Sequence, residues 1–208
     1  TTDIFFLADG VPLFEPLGIQ IGHHKTLVRA LYSVSIGLGG DSFVRVEDGE
    51  LKVGPERKGY PIAFGGKEIT PTDAMVVLGF LEEGDKNKSV NAIKKLGKEF
   101  GLSVTEMADK ILEHMVGSIQ KKVEVLLKKI NAHPVYTIKE FLEDKTIEPA
   151  FINVIGGPAK ALKPMLEKTF NLEVRYPEQY DVANAVGAAL AKPTAEINMI
   201  ADTERKIL

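Results

Sequence analysis

Phe151-Ile152-Asn153-Val154-Ile155-Gly156-Gly157-Pro158 is an uncharged, largely apolar run that stops on two glycines and a proline. Such a run reads as a strand closed by a turn. Ala159 to Phe170 behind it is helix-like, with Pro164 admissible there only as the start of a new first turn. Glu173 to Tyr176 returns as a strand, and Val182 to Ala191 is a helix of small residues that lets another backbone approach closely. Strand, helix, strand, helix predicts parallel pairing and an α/β layer fold.

Working back along the chain, the middle is helical. From Asn87 to Phe100, apolar residues fall at Val90, Ile93, Leu96 and Phe100, a spacing of three and four that marks one buried face, and Gly101 ends the helix. Ser103-Val104-Thr105-Glu106 is a capping box, in which hydroxyl and carboxylate satisfy the open amides of a helix start. The helix it opens is predicted to reach Ile130, with a stripe through Val104, Met107, Ile111, Met115, Ile119, Val123, Leu126 and Ile130. Lys121-Lys122 and Lys128-Lys129 form its wet face. Thr137-Ile138-Lys139-Glu140 repeats the capping pattern for a short helix.

The first 85 or so residues are rich in strands and loops. Asp9-Gly10 between Ile4 to Leu7 and Val11 to Phe14 predicts a hairpin, because Asp-Gly suits a tight primed turn. Ser42 to Val46, Glu47-Asp48-Gly49 and Leu51 to Val53 predict a second one. Gly54 to Pro71 holds four glycines and three prolines, a loop long enough to suggest a working role.

Lys+Arg 26 against Asp+Glu 29 leaves a net charge of −3, which gives no electrostatic footprint for a nucleic acid. No apolar stretch of about 18 residues is present to span a membrane. The absence of cysteine excludes disulfides, thiolate metal sites and cysteine nucleophiles, and is compatible with a cytoplasmic setting. The opening on Thr1-Thr2-Asp3, with neither Met nor a basic leader, reads as a cut within a longer chain or a processed product.

Three places have residues suited to chemistry. Gly156-Gly157-Pro158 sets backbone amides at a helix start, where an anion or nucleotide can come close, although Gly-Gly after a strand is more often a plain tight turn. Ser35-Ile36-Gly37-Leu38-Gly39-Gly40-Asp41-Ser42 is a second glycine-rich turn without the Lys of a P-loop; its glycines permit positive φ, and Asp41 is placed to hold a metal-bound water or to cap the turn. Thr1 could act as a nucleophile with its own amine as base, if the chain is processed there. His23-His24 point to opposite faces of an extended segment, and His114 and His133 have no partner at metal spacing.

Taken in order, these pieces resemble the hydantoinase/oxoprolinase family, on the A-type subunit that belongs to the actin-like ATPase, sugar-kinase and chaperone-ATPase superfamily. Thr1-Thr2-Asp3-Ile4 resembles the end of its second phosphate motif, and Ser35 to Ser42 its Ser-Ile-Gly-Ala-Gly-Gly-Gly-Ser. Val53-Gly54-Pro55, Gly65-Gly66 and Pro71-Thr72-Asp73-Ala74 through Leu78-Gly79 are similar to the run that follows. Gly156-Gly157 resembles the adenosine motif, and Asn184 to Ala188 the helix that closes the second lobe. Two departures stand out: Asp41 where many relatives have Gly, and Tyr60 to Gly66 in place of Pro-Gly-Pro-Ala-Cys-Tyr-Gly.

The resemblance implies a ribonuclease-H-like lobe with a mixed sheet and flanking helices. Residues 1–208 would be the second nucleotide-binding lobe of a longer chain, with 86–148 as a helical insertion or subdomain. It further implies ATP-dependent opening of a cyclic amide of hydantoin or 5-oxoproline type through phosphoryl activation. Thr1, Thr2, Gly37, Gly39, Gly40, Gly156, Gly157 and Pro158 would then bind ATP. Asp3 would be catalytic, and Asp3 and Asp41 would serve Mg²⁺. The first lobe and a hydantoinase B-type subunit would be partners. A nucleotide-driven module of the reactivating-factor kind is the other reading of the same fold.

Overall fold

The computed structural model describes residues 1–15, 18–26, 28, 30–132 and 146–192. The capping pattern at Thr137 to Glu140 and His133 lie outside them. The order is β1 (Thr2–Phe5), β2 (Leu7–Ala8), β3 (Val11–Pro12), β4 (Gln20–Ile21), β5 (His24–Lys25), β6 (Ser33–Ile36), β7 (Val44–Glu47), β8 (Glu50–Val53), a 3₁₀ turn at Ile62–Phe64, α1 (Pro71–Leu78), α2 (Lys86–Glu99), α3 (Val104–Asn131), β9 (Phe151–Asn153), α4 (Ala159–Phe170), β10 (Glu173–Arg175) and α5 (Ala183–Leu190). This is a mixed α/β architecture. Where one mixed sheet is expected, the described strands pair as five two-stranded ladders, with β9 and β10 parallel and the others antiparallel.

Both Asp-Gly turns form as the sequence predicts, but the first ladder is Leu7–Ala8 on Val11–Pro12, because Ile4 and Phe5 of the expected arm pair with β6 instead. Asp9 and Gly10 have φ of 51° and 80°, and Asp48 and Gly49 have 53° and 78°. Positive φ at both central residues is the type I′ pattern, whose twist matches that of the flanking strands. The helix ends are also as read. Gly101 at φ 66° lets its own N–H reach Lys98 O and the N–H of Leu102 reach Gly97 O, the paired bonds of a Schellman motif. Ser103 and Glu106 form the capping box that opens α3.

The core is built around α3. Met107, Ala108, Ile111, Leu112, Met115, Val116, Ile119 and Leu126 are buried on it, a broader stripe than the spacing alone outlines. α1 and α2 pack on one part of this face and α4 on another, while Leu51 and Val53 of β8 and Val174 of β10 join the same apolar cluster. α4 crosses between parallel β9 and β10, as the opening run requires. Pro164 does not begin a new turn. α4 runs unbroken through it, losing the hydrogen bond to the Lys160 carbonyl, because Ala161, Leu162, Met165 and Leu166 hold the helix against α3. No residue of α5 is buried.

His114 on α3 stands beside Lys52 and Lys110 where the β7–β8 hairpin meets the helix. Its Nδ1 is buried and has no hydrogen-bond partner. Burial pushes its pKa below the ordinary imidazole value, and Lys52 and Lys121 push it the same way. The unfolded chain therefore takes up the proton first, near pH 6.5. Stability from neutral His114 is intact above that pH and is lost as the pH falls from there through the lower folded value. In urea unfolding, the wild-type chain should lose more stability between pH 7.5 and 5.5 than His114→Leu does; identical pH dependence would contradict this account.

Candidate functional site

The β1–β6 ladder sets Thr2 opposite Ile36 and Asp3 opposite Ser35, so the first three residues lie against the glycine turn that leaves β6. Thr2 Oγ1 donates to Leu38 O at 2.7 Å, and Ser35 Oγ donates to Asp3 Oδ1. The turn is closed from within. Ser42 N donates to Gly39 O at 3.1 Å, and Gly39 N donates to Ser42 Oγ at 2.9 Å. Leu38, only 5% exposed, anchors it in the core.

Two glycines of this turn, Gly37 and Gly40, are needed for space. Gly37, Gly39 and Gly40 are not among the residues with positive φ, so the backbone freedom expected of them is not what the turn uses. A Cβ on Gly37 would lie 2.8 Å from Pro55 Cβ, one on Gly40 2.7 Å from Thr72 Oγ1, and one on Gly39 3.5 Å from the Thr1 nitrogen. The segments of Pro55 and Thr72 thus close on a bare backbone, while Thr1 lies at ordinary contact distance from Gly39.

Asp41 ends the turn. Its Oδ2 is 2.7 Å from the Arg57 guanidinium, so the carboxylate expected to serve a metal has an arginine as its partner. Among the described residues no group of three or more His, Asp or Glu is placed to hold a metal. This does not exclude Mg²⁺ at a phosphate, since that ion keeps several waters and takes one or two carboxylates besides phosphate oxygens. Asp3, exposed at the rim, fits such a minor share.

What holds the turn in place comes from α1. Asp73 is fully buried, and five donors meet its carboxylate. Ala63 N and Ser89 Oγ reach Oδ1, each at 2.8 Å. Thr70 N and Thr70 Oγ1 reach Oδ2 at 2.9 Å, and Ile62 N at 3.2 Å. One side chain so fastens the end of the Gly54–Pro71 loop, the start of α1 and the first turns of α2. Next to it, Thr72 N donates to Gly40 O at 2.9 Å, which ties α1 to the glycine turn. Sequence reading took Asp73 only as part of a family likeness. The signal was there in Thr70-Pro71-Thr72-Asp73, a capping pattern with proline at the first helical position ahead of an apolar run.

Gly156, Gly157 and Pro158 lie at the other end of the chain, between β9 and α4. Gly156, at φ 107°, donates its N–H to Tyr180 O at 2.6 Å, so that amide is already engaged. A Cβ on Gly156 or Gly157 would meet nothing within 4 Å. Both glycines therefore border open space. No hydrogen bond among those of the described residues joins this turn to the one at Gly37 to Ser42.

Comparison with known proteins adds to this geometry. The hydantoinase/oxoprolinase family model matches residues 1–197. Over 119 residues the chain is 31% identical to the acetophenone carboxylase gamma subunit of Aromatoleum aromaticum, covering 47% of this chain and 16% of that protein. The nucleotide-free structure of acetone carboxylase, from work on ATP-dependent acetone carboxylation, matches with TM-score 0.67 and 22% identity over 97% of this chain and 30% of that one. The ATP-dependent caprolactamase of Pseudomonas jessenii matches with TM-score 0.61 and 24% identity over 77% of this chain and 24% of that one. At such identities the two structures show a shared fold. The chain spans less than a third of the length of any of these relatives.

Two substitutions test the support of the turn. Asp73→Ala strands five donors and should cost about 3 kcal/mol or more in urea unfolding; a loss under about 1 kcal/mol would show that the cluster is not a keystone. Gly40→Ala should destabilise through its clash with Thr72 Oγ1, and Thr72→Ala in the same chain should recover part of the loss.

Proposed function

Because the chain belongs to the hydantoinase/oxoprolinase family, we propose that it supplies one lobe, the second, of an ATP site of the actin-like ATPase and sugar-kinase kind. The parent enzyme would open a cyclic amide of hydantoin or 5-oxoproline type, with ATP activating the amide oxygen. The observation that carries this reading is the meeting of Thr1-Thr2-Asp3 with the Gly37–Gly40 turn, made by the β1–β6 ladder and by the bond from Thr2 Oγ1 to Leu38 O at 2.7 Å. A turn backed closely by Pro55 and Thr72 and met by two threonines offers amides and hydroxyls, and no bulky side chain, to a phosphate.

In such a site the protein contributes position and charge. Thr1 and Thr2 would donate hydroxyls to phosphate oxygens, with Thr2 exchanging its present bond to Leu38 O. The turn at Gly37, Gly39 and Gly40 would keep its shape during this exchange, because Ser42, Leu38 and Thr72 hold it from behind. Asp3 would orient water next to the phosphate, its own position set by Ser35. Mg²⁺ bound with ATP would neutralise charge on the phosphates. Gly156, Gly157 and Pro158 would border the adenosine, the open space over the two glycines admitting it. The first lobe of the longer chain and a hydantoinase B-type subunit would complete the enzyme.

Phosphate release by the full-length protein tests the proposal. Release that rises with hydantoin or 5-oxoproline supports an amide-opening enzyme; hydrolysis indifferent to both would favour a nucleotide-driven module of the reactivating kind. The 208-residue chain alone should turn over little ATP, and robust hydrolysis by it would overturn the one-lobe assignment.

A further inference from the structure

The Gly54–Pro71 loop does more than cover the glycine turn. Its first residues run alongside the strand that leaves the turn: Gly54 N donates to Phe43 O at 2.9 Å, and Phe43 N donates to Glu56 O at 2.7 Å. Arg45, itself paired with Glu47, donates to Gly54 O at 2.7 Å and braces the bend. Arg57 therefore starts from a fixed piece of backbone, while its side chain is 62% exposed and reaches back to Asp41. Lys58 beside it is turned away, its ammonium 3.8 Å over the Phe43 ring. Among the described residues, the ion pair that falls on the turn itself is that of Arg57 with Asp41.

An anion arriving at this turn meets the Asp41 carboxylate one residue beyond Gly40, which repels it. It also meets a guanidinium with several donors, itself exposed and held by a single pair to the half-buried Asp41. A phosphate offers that guanidinium a doubly charged, bidentate partner in place of a single carboxylate. We propose that Arg57 is an anion-contacting residue of the phosphate turn, parked on Asp41 when the turn is empty and moved to a phosphate oxygen when ATP binds. This rests on the reading of the turn as a phosphate site. Asp41 is then the resting partner of Arg57, and the Asp41–Arg57 pair sets how readily the turn accepts an anion.

ATP binding by the full-length protein, measured by calorimetry, tests the assignment, with unchanged thermal stability of each variant as the check on folding. Arg57→Ala should weaken binding about tenfold and flatten its salt dependence, and Arg57→Lys should recover part of the affinity. Asp41→Asn should tighten binding by freeing Arg57. The double variant Asp41→Asn with Arg57→Ala should stay weak, since the contact with phosphate is gone. Wild-type protein that binds no ATP would sink the phosphate-site reading and this inference with it. Wild-type binding with an unaffected Arg57→Ala variant would overturn the inference alone. So would a double variant with wild-type affinity, which would reduce Arg57 to a neutraliser of Asp41, or loss of binding in Asp41→Asn, which would make Asp41 the working group.

Discussion

The carboxylate of Asp73 is the point at which the local structures of this chain are made to agree. It is out of contact with water and receives hydrogen bonds from Ile62, Ala63, Thr70 and Ser89. Those donors belong to a 3₁₀ turn, a helix start and a second helix that share no regular ladder. Buried polar groups of this kind are costly unless every one is satisfied, and satisfied they admit one arrangement. Asp73 thus fixes the direction of α1, and α1 carries Thr72 to the carbonyl of Gly40.

The candidate site inherits its rigidity from that arrangement. The glycine turn is gripped from inside by Ser42 and from below by Leu38, with Thr72 on one side and Pro55 on another. On another side Thr1, Thr2 and Asp3 arrive by strand pairing, and the Asp41–Arg57 pair stands at the edge. A bare backbone held from behind and bordered by an exposed guanidinium is a combination suited to a phosphate, which needs fixed donors and a positive charge.

Much of this was legible in the sequence because it is local. Asp-Gly pairs specify type I′ turns, Ser103 with Glu106 specifies a helix start, and Gly101 a helix end; each acts over a few residues and needs no partner elsewhere. The strand and helix order after Phe151 likewise announced a parallel pair. The rest is long-range. Whether Pro164 breaks a helix depends on the packing of its neighbours on α3, and the fivefold clasp of Asp73 depends on Ser89, sixteen residues away in another helix. The partner of Asp41 could not be read at all, since Arg57 reaches it only through the pairing of Phe43 with Gly54 and Glu56. For the same reason the glycines of the turn invited an argument from positive φ, while the structure uses them for close approach.

The central claim is that the turn from Gly37 to Ser42, held from behind by α1 and facing Thr1 to Asp3, is where phosphate binds. Hydrogen exchange of the full-length protein with and without ATP addresses it directly. The account predicts that ATP slows exchange at residues 1–3 and 37–42, with a smaller effect at 156–158 and little change along α2 and α3. ATP bound with no change in protection at residues 37–42 would contradict it.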